Sequence, residues 1–163
     1  MTHIPDLSPC TYFGDEPSKV LTAIGWLSRK HSFEPGEVSV EFFAKLVRLL
    51  NHPAPQPWIL RGSQPCELCQ FTGATVPQQF SGMPVTGVGH LQLFVPSGKF
   101  LFIASESIAH AVDAHRYQPP QEFIAAVLAC PEPDTMEFKN QFLERGGRFL
   151  MNLARKSSEG TES

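Results

Sequence analysis

The sequence predicts an α+β protein with a small antiparallel sheet and C-terminal helices. Three observations lead to this prediction. Residues 90–95 (HLQLFV) alternate between apolar and polar side chains, and a short turn at 96–98 leads to the returning segment 99–104 (KFLFIA). The stretches before and after them have helical periodicity and helix-capping residues. The chain is 42% hydrophobic and 18% charged, which is typical of a folded protein.

The N-terminal third is predicted to contain one strand and one helix. Residues 1–18 are rich in proline and are interpreted as an irregular entry segment. Residues 19–27 (KVLTAIGWL) are predicted to form a buried strand, in which Gly25 marks a bulge or a close approach of backbones. Ser39 is a good N-cap for a helix that ends near Asn51 and whose apolar face is formed by Phe42, Phe43, Leu46, Leu49 and Leu50.

The middle of the chain is predicted to contain a long loop and a β-hairpin. A short strand is predicted at 58–60, and residues 70–89 carry turn residues throughout. A loop of this length is expected to be functional or held in place by another group. The segments 90–95 and 99–104 form the hairpin, and Ser105 or Ser107 caps a helix that runs to His115.

The C-terminal third is predicted to be helical. Pro119 and Pro120 precede a helix over 121–129. Asp134, in a capping box with Glu137, begins a last helix. Gly146 and Gly147 interrupt this helix, and residues 148–154 resume it.

We predict one domain over residues 1–155 and a disordered polar tail over 156–163. The net charge of −3 provides no basic field for nucleic acid. No signal peptide and no apolar stretch of about 18 residues is visible, so no membrane partner is expected and the expected location is the cytoplasm. The four cysteines should be reduced there. A close cysteine pair then indicates metal binding or redox chemistry rather than a disulfide.

Cys66 and Cys69 form such a pair. The C-x-x-C spacing allows two thiolates to bind one metal ion from a tight turn. A hairpin and then a helix that carries His110 follow in the sequence, and this order is typical of treble-clef zinc sites. A redox pair of the thioredoxin type would open a helix, whereas Gln70-Phe-Thr-Gly does not. We therefore expect one zinc ion per chain, with metal-free thiols as the alternative.

The sequence offers several candidates for the fourth ligand, of which His115 is the first choice. His115 follows His110 by five residues, which places the two side chains about 140° apart on a regular helix. His115 can therefore bind only if the helix is distorted at its end. Cys130 is the alternative fourth ligand, His90 is a further candidate, and a water molecule could complete the site instead.

Two stretches resemble an uncharacterised family of small bacterial proteins. They are Gly62–Cys69 (GSQPCELC) and Ile108–Phe123 (IAHAVDAHRYQPPQEF), and the family pattern is G-x-H-x-C-x-x-C followed by I-x-H-Y-x-x-x-H-x-Y-x-P-P-x-x-F. The two cysteines and two histidines of the pattern match Cys66, Cys69, His110 and His115. The first histidine of the pattern is Gln64 here, which is a poor zinc ligand. The resemblance implies a shared fold and, at most, a shared metal site.

Two classes of function are compatible with these residues. The first is a zinc-stabilised interaction or regulatory module, such as an adaptor or a toxin-neutralising protein, with another protein as its partner. The second is a metal-dependent hydrolase or deaminase-like enzyme with an open zinc position at Cys66, Cys69 and His110. Zinc deaminases carry H-x-E before C-x-x-C, and that motif is absent here. No other catalytic motif is visible. The sequence therefore favours the module and does not indicate the oligomeric state.

Overall fold

The computed structural model describes residues 3–13, 20–51, 66–69, 92–105 and 107–160. The described chain contains a small sheet and a run of helices after the last strand, so the predicted α+β class is confirmed. In chain order the elements are β1 (Leu21–Ile24), α1 (Val40–Asn51), β2 (Leu93–Ser97), β3 (Phe100–Ala104), α2 (Ile108–His115), α3 (Gln121–Ala129), α4 (Met136–Phe142), a π-helical turn (Leu143–Gly147) and α5 (Arg148–Glu159). The predicted strand at 58–60 and the predicted loop at 70–89 lie outside the described residues.

The three strands form one mixed sheet in the order β1-β3-β2. Strand β2 is antiparallel to β3, whereas β1 is parallel to β3, with Leu21 opposite Leu101. The prediction of a purely antiparallel sheet is therefore wrong. Parallel neighbours need a crossover of a dozen residues or more, and the chain between β1 and β3 includes α1 and is long enough to provide one.

The N-terminal segment covers the outer edge of β1. Ile4 and Pro9 form isolated antiparallel bridges with Trp26 and Thr22, respectively. An open strand edge exposes unpaired backbone groups, and this segment pairs with several of them. The first described residues are therefore part of the sheet region, although an irregular entry segment was predicted there.

Strand β1 ends at a glycine that the fold requires. Gly25 has a φ of +72°, and its N–H donates to Oδ1 of Asp6 at 2.8 Å. The side chain of Ile108 lies 3.2 Å from the position that a Cβ of Gly25 would occupy. Gly25, predicted to mark a bulge or a close approach of backbones, is instead approached by a side chain, and this contact places the start of α2 against the end of β1.

The predicted hairpin is confirmed, but its turn is residues 98–99 rather than the predicted 96–98. Ser97 pairs with Phe100, so the turn consists of Gly98 and Lys99. Gly98 has a φ of +51°, which two-residue hairpin turns commonly require. Pro96, predicted to lie in the turn, lies in β2. A proline is tolerated there because β2 is an edge strand of the described sheet.

Helices α1 and α3 pack together on the sheet through aromatic side chains. The hydroxyl of Ser39 accepts a hydrogen bond from the N–H of Phe42 at 3.1 Å, as predicted for the N-cap. The ring of Phe42 lies 6.3 Å from that of Phe123, which in turn lies 5.7 Å from that of Phe102 in β3. No helix within the described ranges has the length and apolarity needed to cross a membrane.

The start of α4 differs from the prediction. The side chain of Thr135, rather than that of Asp134, caps the helix by accepting a hydrogen bond from the N–H of Phe138 at 3.2 Å. The predicted interruption at the glycine pair is confirmed, because Gly146 has a φ of +119° within the π-helical turn. The break separates α4 from α5.

Helix α5 continues through Glu159, whereas disorder was predicted from Lys156. The hydroxyls of Ser157 and Ser158 each donate to the carbonyl four residues earlier, both at 3.1 Å. These local bonds satisfy the two serines within the helix although its end is exposed. Residues 161–163 lie outside the described residues, and the division into one domain and a tail stays a prediction.

Candidate metal centre

Cys66 and Cys69 are the ends of a short turn that lies between α1 and β2 in the chain. The N–H of Cys69 donates to the carbonyl of Cys66 at 3.3 Å, which closes the turn and places both thiols on one side. The Nε of Arg29 donates to the carbonyl of Glu67 at 2.9 Å. This side chain therefore fixes the turn to the segment that follows β1. The sequence offered no signal for this contact, which joins residues 38 positions apart.

The start of α2 positions the first histidine. Ser107 is the N-cap residue but its side chain makes no capping hydrogen bond. Instead, the carbonyl of Ser105 accepts a hydrogen bond from the N–H of Ile108 at 3.0 Å. His110 is the third residue of this helix and projects from its first turn.

The end of α2 explains how His115 reaches the same site. Arg116 follows the helix in the left-handed conformation, with φ 56° and ψ 30°, and its N–H donates to the carbonyl of Ala111, five residues earlier. The same carbonyl accepts a hydrogen bond from the N–H of Tyr117 at 3.1 Å, so the helix closes at a left-handed residue, as helices commonly do. The rings of His110 and His115 are 5.1 Å apart, so the separation of about 140° expected on a regular helix does not keep their side chains apart.

The cysteine turn and helix α2 meet where the thiols contact the imidazoles. Sγ of Cys69 lies 3.2 Å from Nε2 of His110 and 3.3 Å from Nε2 of His115. Sγ of Cys66 lies 3.4 Å from Nε2 of His115. A sulfur and a nitrogen bound to one tetrahedral zinc ion, at about 2.3 and 2.0 Å from it, stand about 3.5 Å apart.

One ligand atom from each of these four residues lies within 4.8 Å of the other three. This Cys₂His₂ group could therefore hold a metal ion. The four residues that the sequence singled out as ligands lie together, including His115, which was the first choice for the fourth position.

Cys130, the alternative fourth ligand, lies elsewhere. It follows α3, is 4% exposed and belongs to the hydrophobic core. Burial raises the pKa of its thiol to about 11, and the charged groups that act on it are those of Lys45 and Glu132. The geometry therefore excludes Cys130 from the cluster, and the sequence could not show that its helix end points into the core. Gln64 and His90 lie outside the described residues.

Burial controls the protonation of the ligands. It lowers the pKa of His110, although the carboxylate of Asp113 opposes this shift. Burial also lowers the pKa of His115, and the charge of His110 adds to the effect. The pKa of Cys69 is raised by burial and by the neighbouring Cys66. Both imidazoles therefore favour the neutral form that binds metal, whereas an incoming metal ion must displace the proton of the Cys69 thiol.

The fold and this cluster together define a class: an α+β protein with a Cys₂His₂ group that could hold a metal ion, formed by a cysteine turn and one helix. Within that class, residues 2–128 match the family model described as a domain of unknown function (DUF7919), and the chain belongs to that family. The matched range includes all three strands, α1, α2 and the whole cluster. The predicted membership of an uncharacterised family is thereby confirmed. No curated protein and no solved structure matches the chain.

Proposed function

We propose that this protein is a zinc-stabilised interaction or regulatory module, in which Cys66, Cys69, His110 and His115 bind one zinc ion. The observation that carries the proposal is the mutual distance of the four ligand atoms, all within 4.8 Å. Two thiolates and two imidazoles are a common structural zinc set, and tetrahedral S₂N₂ coordination is typical of zinc.

The order of the elements supports a treble-clef-like unit. The cysteine turn is followed by the β2–β3 hairpin and then by α2, as in treble-clef sites. The second helix ligand, however, lies at the C-terminal end of α2 rather than in its first turn. The unit we propose is therefore a variant in which one helix supplies ligands from both of its ends.

A structural role for the metal is supported by what holds the cysteine turn in place. The turn is 41 to 49 residues away in sequence from the histidines that it meets. Its contacts with other described residues include the hydrogen bond from Arg29 and the contacts of the two sulfurs with the imidazoles. A bound metal ion would convert the latter contacts into four strong bonds and join distant parts of the chain.

The position of His115 argues against the enzyme alternative. A catalytic zinc site keeps one coordination position open for water or substrate. A hydrolase or deaminase built on Cys66, Cys69 and His110 would need that open position. Nε2 of His115 lies within 3.4 Å of both sulfurs, where it can fill the position.

The proposed partner is another protein, and the proposed location is the reducing cytoplasm. The net charge of −3 provides no general attraction to nucleic acid. Cys10 and Cys130 are free and buried in the core. Free thiols of this kind are typical of proteins in reducing compartments.

Elemental analysis tests the proposal. Protein produced without a histidine tag in zinc-supplemented medium should carry one zinc ion per chain. The Cys66→Ser variant should lose the metal, whereas the matched control Cys130→Ala should keep it. A wild-type protein with far less than one equivalent of any metal would contradict the proposal. A folded Cys66→Ser variant with unchanged thermal stability would contradict the structural role.

A further inference from the structure

A second candidate site lies at the other end of the described sheet region, between the N-terminal turn, the hairpin turn and the start of α3. It is a groove of about 510 Å³, open to solvent, and it shares no lining residue with the metal centre. This volume lies within the range of small-molecule sites. Its walls include apolar side chains and two charged ones, namely Leu7, Pro9, Phe100, Phe102, Lys99 and Glu122.

Two of the apolar side chains are exposed in the groove. Leu7 is 44% exposed and Phe100 is 47% exposed, although both are large hydrophobic residues. Phe102, beside them, is buried and provides a fixed floor. Leu7 and Phe100 therefore offer apolar area that a bound ligand could remove from water.

The backbone of Leu7 is strained. Its φ of 63° lies in the left-handed region, which a bulky side chain rarely adopts. The hydrogen bond from its N–H to the carbonyl of Ala23, at 2.9 Å, helps to hold this conformation. Strain of this kind persists where the surrounding structure enforces it, and it is common at ligand sites. Here the strained residue is one that exposes an apolar side chain to the groove.

The charges at the rim have opposite signs and no partner. Lys99 lies in the hairpin turn and Glu122 lies in the first turn of α3, and both are exposed. Neither forms an ion pair or a hydrogen bond with another residue in the described part of the chain. The groove therefore presents one cation and one anion beside an apolar wall.

We infer that this groove binds an apolar zwitterion, namely a hydrophobic amino acid or a short hydrophobic peptide with free ends. The ligand's carboxylate would pair with Lys99, its ammonium group with Glu122, and its side chains with Leu7 and Phe100. A purely anionic amphiphile, such as a fatty acid, would leave Glu122 repelling its head group. The paired charges therefore favour a ligand that carries both signs.

Isothermal titration of the full-length protein with the dipeptide phenylalanyl-leucine tests the inference. Binding in the millimolar range or tighter is expected, and blocking either end of the dipeptide should weaken it about threefold, since these are exposed ion pairs. Lys99→Gln should weaken binding of the free dipeptide by a similar factor but leave binding of the dipeptide amide, which has no carboxylate, unchanged. Glu122→Gln should likewise weaken binding of the free dipeptide but leave binding of the N-acetyl dipeptide, which has no ammonium group, unchanged. The exposed control variants Lys30→Gln and Glu41→Gln should bind like the wild type.

Leu7→Asn separates ligand binding from folding. Asparagine tolerates the left-handed conformation, so this variant should melt no lower than the wild type and yet bind the dipeptide more weakly. No binding to the wild type, or equal binding of the free and doubly blocked dipeptides, would overturn the inference. The inference would also be overturned if the control variants Lys30→Gln and Glu41→Gln lost the preference for the free dipeptide over the blocked ones.

Discussion

Replacing Cys69 by serine removes the sulfur that lies 3.2 Å from Nε2 of His110 and 3.3 Å from Nε2 of His115. If all four residues bind zinc, this change removes one of four ligands. A structural zinc ion contributes about 10–16 kcal/mol to folding, so an equal share per ligand is about 3 kcal/mol. For a domain of this size, such a loss corresponds to a fall in Tm of about 6–12 °C.

The assay is thermal unfolding followed by circular dichroism, with and without a chelator. Cys69→Ser should melt well below the wild type in the presence of zinc, and the two proteins should melt together when the metal is removed. The control Cys130→Ala alters a thiol in the core and should lower the Tm by the same amount in both conditions. An equal effect of Cys69→Ser with and without chelator would refute the reasoning, because the sulfur would then stabilise the fold without a metal.

Three further outcomes follow from the structure. In metal-free protein, burial lowers the pKa of His110 and His115, so their contribution to stability should be constant above about pH 6.5 and should be lost as the pH drops through the folded pKa values. Denaturant unfolding from pH 7.5 to 5.5 would show this decrease in the free energy of unfolding. A variant with both histidines replaced by glutamine should lack the part of the decrease that these two residues cause. Gly146→Ala should lower the free energy of unfolding by about 1–3 kcal/mol, because its φ is +119° and a Cβ would lie 2.9 Å from Leu21; a variant as stable as the wild type in urea would contradict this. Deleting residues 157–163 should leave the Tm unchanged, whereas a large decrease would show that they dock.

The elements with strong local signals could be predicted from the sequence. Helix α1 depends on Ser39 and on an apolar face of period 3.6, and both are present in the structure. The β2–β3 hairpin could be predicted from the alternation over 90–95, the turn residues that follow and the returning segment 99–104. Its exact turn was missed because Pro96 is a turn residue in most contexts and is allowed in β2 only by its place at the sheet edge.

The features that depend on distant contacts could not be predicted. The parallel pairing of β1 with β3 joins residues about 80 positions apart, and no local pattern encodes its direction. The hydrogen bond from Arg29 to the cysteine turn is of the same kind. Local alternatives were also hard to separate, since Thr135 and Asp134 are both good N-caps and only the final path of the chain selects Thr135.

The candidate metal site contains one feature that the sequence predicts and one that it does not. The cysteine pair could be recognised from its spacing together with the hairpin and the helix predicted after it. The role of His115 could not be derived from helical geometry, because a regular helix would turn its side chain away from His110. In the structure the helix ends at a left-handed Arg116 and the two imidazole rings lie 5.1 Å apart. Only the structure shows how the side chains at this helix end are placed.

X-ray absorption at the zinc edge of the metal-loaded protein tests the central claim most directly. We expect two sulfurs at about 2.3 Å, from Cys66 and Cys69, and two nitrogens at about 2.0 Å, from His110 and His115. The His115→Ala variant should replace one nitrogen by a water oxygen and keep both sulfurs. A shell with three sulfurs, or a wild-type shell that already contains water and does not change in His115→Ala, would contradict the proposed four-ligand site.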